Sequence, residues 1–181
     1  GNRDGKVVKV DPRERVLETE FGTRHKVDVA NVIPPQSAGT IAIEAGLAND
    51  TGWVPVNTRS FEARAAQGIH VIGDANIPGP MPKSGYIAHS TAKQAVASAM
   101  AGLRGEAPPE ALYFNTCYSH VGTDYGISVV GIFRPNADGT AIAEVPNSGG
   151  VSPRGDLPEQ RRLEAIYADT WYEAITKSMF G

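Results

Sequence analysis

Thiol chemistry is nearly absent from this sequence: Cys117 is its single cysteine, which excludes a disulfide within one chain and any thiolate-rich metal site. The four histidines, His25, His70, His89 and His120, are widely spaced without an HxH or HxxxH pair, so no structural metal is expected. Lysine and arginine form no run, and the formal charge is -3. A phosphate-binding face needs clustered cations, so nucleic acid is excluded as a partner, while a basic protein partner stays open. No apolar stretch approaches the roughly 18 residues of a membrane span, and residues 1–4 (Gly-Asn-Arg-Asp) are no signal peptide. The 20 glycines and 13 prolines point to many turns and few long helices; 41% apolar and 20% charged residues exclude disorder. An α/β or α+β mixture in one domain, or two small ones, fits 181 residues. Residues 1–6 run straight into a strand pattern without an initiator Met, which reads as a cut through a larger protein.

What is present has a clear order. Residues 6–10 and 15–20 predict a hairpin around Asp11-Pro12-Arg13-Glu14, with a third run at 25–29 and a short buried strand at 31–33 stopped by Pro34-Pro35. Ser37 is placed to cap a short helix through about Ala45, with Gly46 as its exit, before the turn cluster at 49–52. Residues 68–72 (Gly-Ile-His-Val-Ile) predict a compact apolar strand, and a loop rich in Pro and Gly then leads to the best helix signal, residues 84–103. The composition shifts near residue 106. Beyond it lie strand patterns at 113–119, 126–133 and 140–145, with a hairpin turn at 135–139. A closing helix sets Leu163, Ile166, Tyr167, Thr170, Trp171, Ala174, Ile175 and Met179 on one face.

Chemistry concentrates at two places. Gly73 and Asp74 follow the strand at 68–72, where a glycine admits a ligand close to the backbone and a carboxylate accepts a hydroxyl hydrogen bond. Lys83, Ser84 and Gly85 then open the long helix, whose free N–H groups and positive dipole end suit an anionic ring or phosphate. Taken alone, Gly-Asp-Ala is an ordinary turn, Ser84 an N-cap and Lys83 a solvated side chain; strand, loop and helix start together are more specific. Cys117 in a strand is, by itself, a small buried hydrophobe. His120 lies three residues further on, on the opposite strand face, which disfavours a Cys/His pair. Trp53, Tyr86, Trp171 and Tyr172 read as packing residues.

The stretch Gly68-Ile-His-Val-Ile-Gly-Asp-Ala75 with Pro80-Met-Pro-Lys-Ser-Gly-Tyr86 resembles the second FAD-contacting motif of glutathione-reductase-type flavoproteins. Val32-Ile-Pro-Pro-Gln36, Ala45-Gly-Leu47, Asn49-Asp50, Gly52-Trp53, Asn115-Thr-Cys-Tyr-Ser119, Tyr125-Gly-Ile-Ser128 and Arg134-Pro-Asn-Ala-Asp-Gly139 narrow the resemblance. Across nearly the whole chain it is similar to the flavoprotein subunit of flavocytochrome c sulfide dehydrogenase.

That resemblance implies an α/β plus α+β protein, the C-terminal part of a two-dinucleotide-binding-domain flavoprotein followed by a small antiparallel-sheet-and-helix interface domain. Residues 1–50 would end the NADH-domain-like part, 51–106 return to the FAD-binding domain, and 107–181 form the interface domain. It implies FAD held in part by Gly73, Asp74, Lys83, Ser84 and Gly85, and Cys117 as the catalytic half of a redox-active disulfide. The sequence has no GxGxxG motif, so the pyrophosphate loop and the second cysteine are expected in an N-terminal flavin-binding half outside this chain. The implied reaction is attack of a small sulfur substrate on the disulfide, two-electron transfer from the released thiolate to FAD, and single-electron transfer to haem c on a c-type cytochrome subunit. The implied location is the periplasm, and this chain alone is expected to be inactive. Two other readings stay open: a sulfide:quinone oxidoreductase-like flavoprotein, whose membrane-facing apolar terminus residues 160–181 do not resemble, or a non-catalytic piece that folds and binds a partner.

Overall fold

The computed structural model describes residues 5–181, in two compact units, 1–36 and 37–181. The first unit is an antiparallel meander of β1 (Val7–Asp11), β2 (Val16–Thr19) and β3 (Arg24–Lys26). Its first turn is made by Asp11, whose Oδ1 accepts the N–H groups of Arg13 and Glu14, each at 3.0 Å. The bond from Glu14 holds this carboxyl below its usual range. The third strand stops at Lys26 instead of Val29, and residues 31–33 form no strand: Ile33 is 78% exposed. Pro34 and Pro35 carry no N–H, and no neighbouring strand pairs with that run among the described residues.

The second unit is α+β. Its first helix, α1 (Thr40–Glu44), starts after Gly39 rather than Ser37, and Gly46, at φ +68°, ends it. The long helix α2 (Gly85–Leu103) starts at the predicted Ser84, whose Oγ accepts the Ile87 N–H at 3.1 Å. It closes with Glu106 N–H on Ala101 O and Gly105 N–H on Gly102 O, the paired bonds that a left-handed glycine (φ +71°) makes possible.

Strands β4 (Tyr113–Gly122) and β5 (Tyr125–Pro135) pair antiparallel, and β6 (Ile142–Glu144) and β7 (Gly150–Val151) share the other edge of β5. One apolar core runs from Ala38 to Ile142. Its centre is Val54, Phe61 and Tyr113, with the Phe61 and Tyr113 rings edge to face at 5.4 Å. The Tyr113 hydroxyl donates to Thr58 O at 2.6 Å, so the strand after residue 106 is fastened to the loop before it.

Residues 68–72 depart from the predicted strand. A single bridge, Glu62 to His70, replaces a ladder, Ile69 and Ile72 are exposed, and Gly73–Ala75 forms a 3-10 turn.

The closing helix α3 (Pro158–Phe180) lies on β5 so closely that a Cβ on Gly126 would stand 2.4 Å from Ala165 N. Its buried residues are Arg161, Glu164, Ala165 and Ala168, whereas Ile166, Tyr167 and Met179 of the predicted face are exposed. Arg161 and Glu164, 4% and 7% exposed, pair at 3.1 Å. Glu164 Oε1 also accepts Ser152 Oγ at 2.7 Å and Ser128 Oγ at 3.3 Å, and Arg161 donates to Pro153 O. Burial alone would raise the Glu164 pKa, but the bonds from Ser152, Arg161 and Ser128 bring it below the ordinary 4.5. A lowered folded-state pKa gives stability that is present above that value and lost as the pH falls through and below it. Arg161→Met leaves the carboxylate buried without its cation and is expected to destabilise the chain by about 3 to 5 kcal/mol at pH 7. In urea melts the loss should shrink at acid pH, where Glu164 is protonated in both proteins.

Candidate functional site

Two stretches that lie far apart in the sequence meet at the start of α2. The Ser84 hydroxyl caps the helix and donates to Asn115 Oδ1 at 2.7 Å, which brings the first half of β4 against the helix end. Asn115, 3% exposed, accepts the Cys117 Sγ–H on the same oxygen at 3.4 Å and donates through Nδ2 to Val129 O at 3.4 Å. Residues two apart on a strand share a face, so Asn115 and Cys117 point the same way, and Val129 is the cross-strand partner of Cys117. The thiol is half-buried. Beside it lies an open hollow of about 670 Å3 lined in part by Pro80, Pro82, Asn115, Val129 and Val151.

The Gly-Asp turn stands on the other side of the helix start. Gly73 takes φ +65°, and a Cβ there would lie 3.6 Å from Ala88 Cβ, so this turn packs on the first turns of α2. The Lys83 ammonium folds back, donating to the carbonyls of Asp74 and, at 3.2 Å, Asn76, and sits 3.3 Å from the centroid of the Trp53 ring. Desolvation lowers its pKa, and the nearby Asp74 charge opposes that shift. Lys83 thus organises the loop that joins the Gly-Asp turn to the helix.

The groups offered here suit a ligand with hydroxyl, carbonyl and anionic parts. Asp74 has an exposed carboxylate that accepts no hydrogen bond among the described residues. The Gly85 and Tyr86 N–H groups find no acceptor there either. Asn76 Oδ1 is buried without a donor, while its Nδ2 donates to Val71 O at 3.2 Å. Free donors at a helix start, a free carboxylate at the preceding turn and an unsatisfied carbonyl between them fit the polar edge of a flavin nucleotide.

The histidines take no part in the thiol site. His120 Nε2 lies 3.1 Å from Asp169 on α3, His70 Nδ1 contacts Ser60 O at 2.8 Å, and His89 contacts Ser178 at 3.3 Å. Tyr86 and Trp171 stack at 5.6 Å, and Tyr118 tilts against Trp171 at 6.3 Å, which joins α2, β4 and α3. No group of three or more metal-ligating side chains occurs among the described residues, and no helix among them is long and apolar enough to cross a membrane.

The sequence marks Gly73, Asp74, Lys83, Ser84, Gly85 and Cys117, and the fold brings Ser84 and Cys117 together through Asn115. Neither Asn115 nor Asn76 is singled out by motif reasoning. The signal for Asn115 is its spacing of two from Cys117, which on a strand means one face; Asn76 has no comparable signal.

A thiol on a sheet, hydrogen-bonded through an amide to a capped helix start, defines a flavoprotein type of site within an oxidoreductase family. Residues 109–180 match the family model described as flavocytochrome c sulphide dehydrogenase, flavin-binding. The resemblance read from the sequence is thus shown for the C-terminal segment that holds Cys117, β4 to β7 and α3, while Asp74, Lys83 and Ser84 lie outside the matched residues.

Because Lys83 satisfies two carbonyls and covers Trp53, Lys83→Met is expected to cost about 1 to 3 kcal/mol in urea unfolding. Trp53 emission should change with it, and unchanged stability would remove Lys83 from its organising role.

Proposed function

We propose that this chain is the C-terminal portion of a flavin-dependent sulfide dehydrogenase. In the complete protein, sulfide would give its electrons by way of a disulfide half at Cys117. The observation that carries the reading is the hydrogen-bonded line from Ser84 through Asn115 to Cys117, inside and just before a segment matched as flavin-binding. Residues 1–50, 51–106 and 107–181 are assigned to the NADH-domain-like part, the returning FAD-domain segment and the interface domain of a two-dinucleotide-binding-domain flavoprotein.

Cys117 is the sequence's only cysteine, so its disulfide partner comes from the N-terminal half. A sulfide anion attacking that disulfide breaks the S–S bond; one cysteine leaves as a thiolate with the bonding pair, and the other becomes a persulfide. FAD, when bound, accepts an electron pair and releases electrons singly, the conversion that haem c on a c-type cytochrome subunit requires. Asp74 would accept a hydroxyl hydrogen bond from the cofactor, and the N–H groups of Gly85 and Tyr86 would face its anionic or carbonyl oxygens. Lys83 would hold the loop between them, and the half-buried thiol would keep an apolar flank formed by Val129. The periplasm is the location consistent with a c-type cytochrome partner and an oxidisable cysteine pair.

In the protein assembled with its N-terminal half, Cys117→Ser is expected to keep FAD bound and to slow flavin reduction by sulfide by at least about two orders of magnitude. Stopped-flow bleaching of the flavin absorbance reads this directly, and undiminished reduction would return Cys117 to a packing role. Asp74→Ala should weaken FAD retention by roughly tenfold, the loss of one charge-assisted hydrogen bond. Flavin titration at unchanged affinity would sink that assignment.

A further inference from the structure

We propose that Asn115 is a positioning residue whose locked amide keeps its carbonyl oxygen on the Cys117 sulfur, holding it as a protonated thiol until it is engaged. This deepens the reading of Cys117 as the reacting sulfur and rests on it.

The orientation of the amide follows from its neighbours. Nδ2 faces Val129 O and Oδ1 faces the Ser84 hydroxyl. Turning the amide over would set Oδ1 against Val129 O, two acceptors with no proton between them. It would also aim Nδ2 at a Ser84 oxygen that already accepts the Ile87 N–H. At 3% exposure, water does not replace either bond, so the flip carries the full cost of unsatisfied buried groups. The carbonyl oxygen is therefore fixed toward Cys117.

An oxygen acceptor at 3.4 Å stabilises S–H and opposes S−, because the thiolate has no proton to offer and meets a negative dipole end. The start of α2 acts in the other direction, since the positive end of a helix favours a thiolate. Asn115 stands between the two, in contact with both Ser84 and the sulfur. The direct contact decides the sign, and Ser84 sets its strength by anchoring the amide. The thiol proton leaves to solvent when the sulfur is called on, so no other reactant is needed.

The test is the pH profile of iodoacetamide alkylation of Cys117 on the 181-residue chain, its only thiol. The alkaline plateau reports access to the sulfur, and the pH of half-plateau rate reports the proton. Asn115→Ala is expected to raise the rate at pH 7 about fivefold, the equivalent of one hydrogen bond of about 1 kcal/mol, with the half-plateau pH lowered by about 0.7 and the plateau unchanged. Ser84→Gly frees the same amide while keeping a tolerated N-cap residue, and should move the profile in the same direction. If Asn115→Ala does not fold, Ser84→Gly decides alone. A half-plateau pH that stays put or rises, or a gain confined to the plateau, overturns the proposal. Neither measurement uses flavin or sulfide, so its failure is separate from a failure of the sulfide dehydrogenase reading, which Cys117→Ser tests.

Discussion

A buried amide must have both its ends satisfied, and in this protein that requirement falls on Asn115. Its bonds reach Ser84 at the start of α2, Cys117 on the same strand and Val129 on the next, so helix, strand and neighbouring strand are fixed by one side chain. The placement of the thiol follows from this. A sulfur on the same strand without Asn115 would face the same side of the sheet but would have no defined hydrogen-bonded neighbour, and the helix start would have no link to it.

The second fixed relation is between β5 and α3. Gly126 lets the helix backbone approach, Ala165 and Ala168 fit the narrow gap, and the Arg161–Glu164 pair with Ser128 and Ser152 satisfies the polar groups that such closeness buries. The segment matched as flavin-binding begins at residue 109, yet Tyr113 packs on Phe61 and donates to Thr58. The chemistry of that segment is therefore set partly by residues in front of it, which supply its core and its helix cap.

Local chemistry was legible in the sequence, and contact geometry was not. Ser84 as a cap, Gly46 and Gly105 as exits, and the hairpin at 135–139 each depend on one or two adjacent residues, and each is where it was expected. The run at 68–72 has the composition of a strand, but a strand also needs a partner, and here only His70 finds one. The face of α3 was misread because apolar periodicity favours Ile166 and Tyr167, whereas contact with a glycine strand selects alanines and a paired arginine and glutamate. In the site, Gly73, Asp74, Ser84 and Cys117 were legible from motif spacing. The joining role of Asn115 requires knowing that β4 crosses the start of α2, a long-range fact that spacing along the chain does not contain.

The sheet's two edges are unequal. β6 and β7 are three and two residues long, too short to template another chain, whereas β4 runs for ten residues. Helix α2 packs against β4, so it shields the only long edge among the described strands of that sheet. A loosened helix start would thus expose a row of backbone donors and acceptors before the core came apart. For this fold, the first sign of damage at the N-cap would be self-association through strand pairing, with most of the native secondary structure still in place.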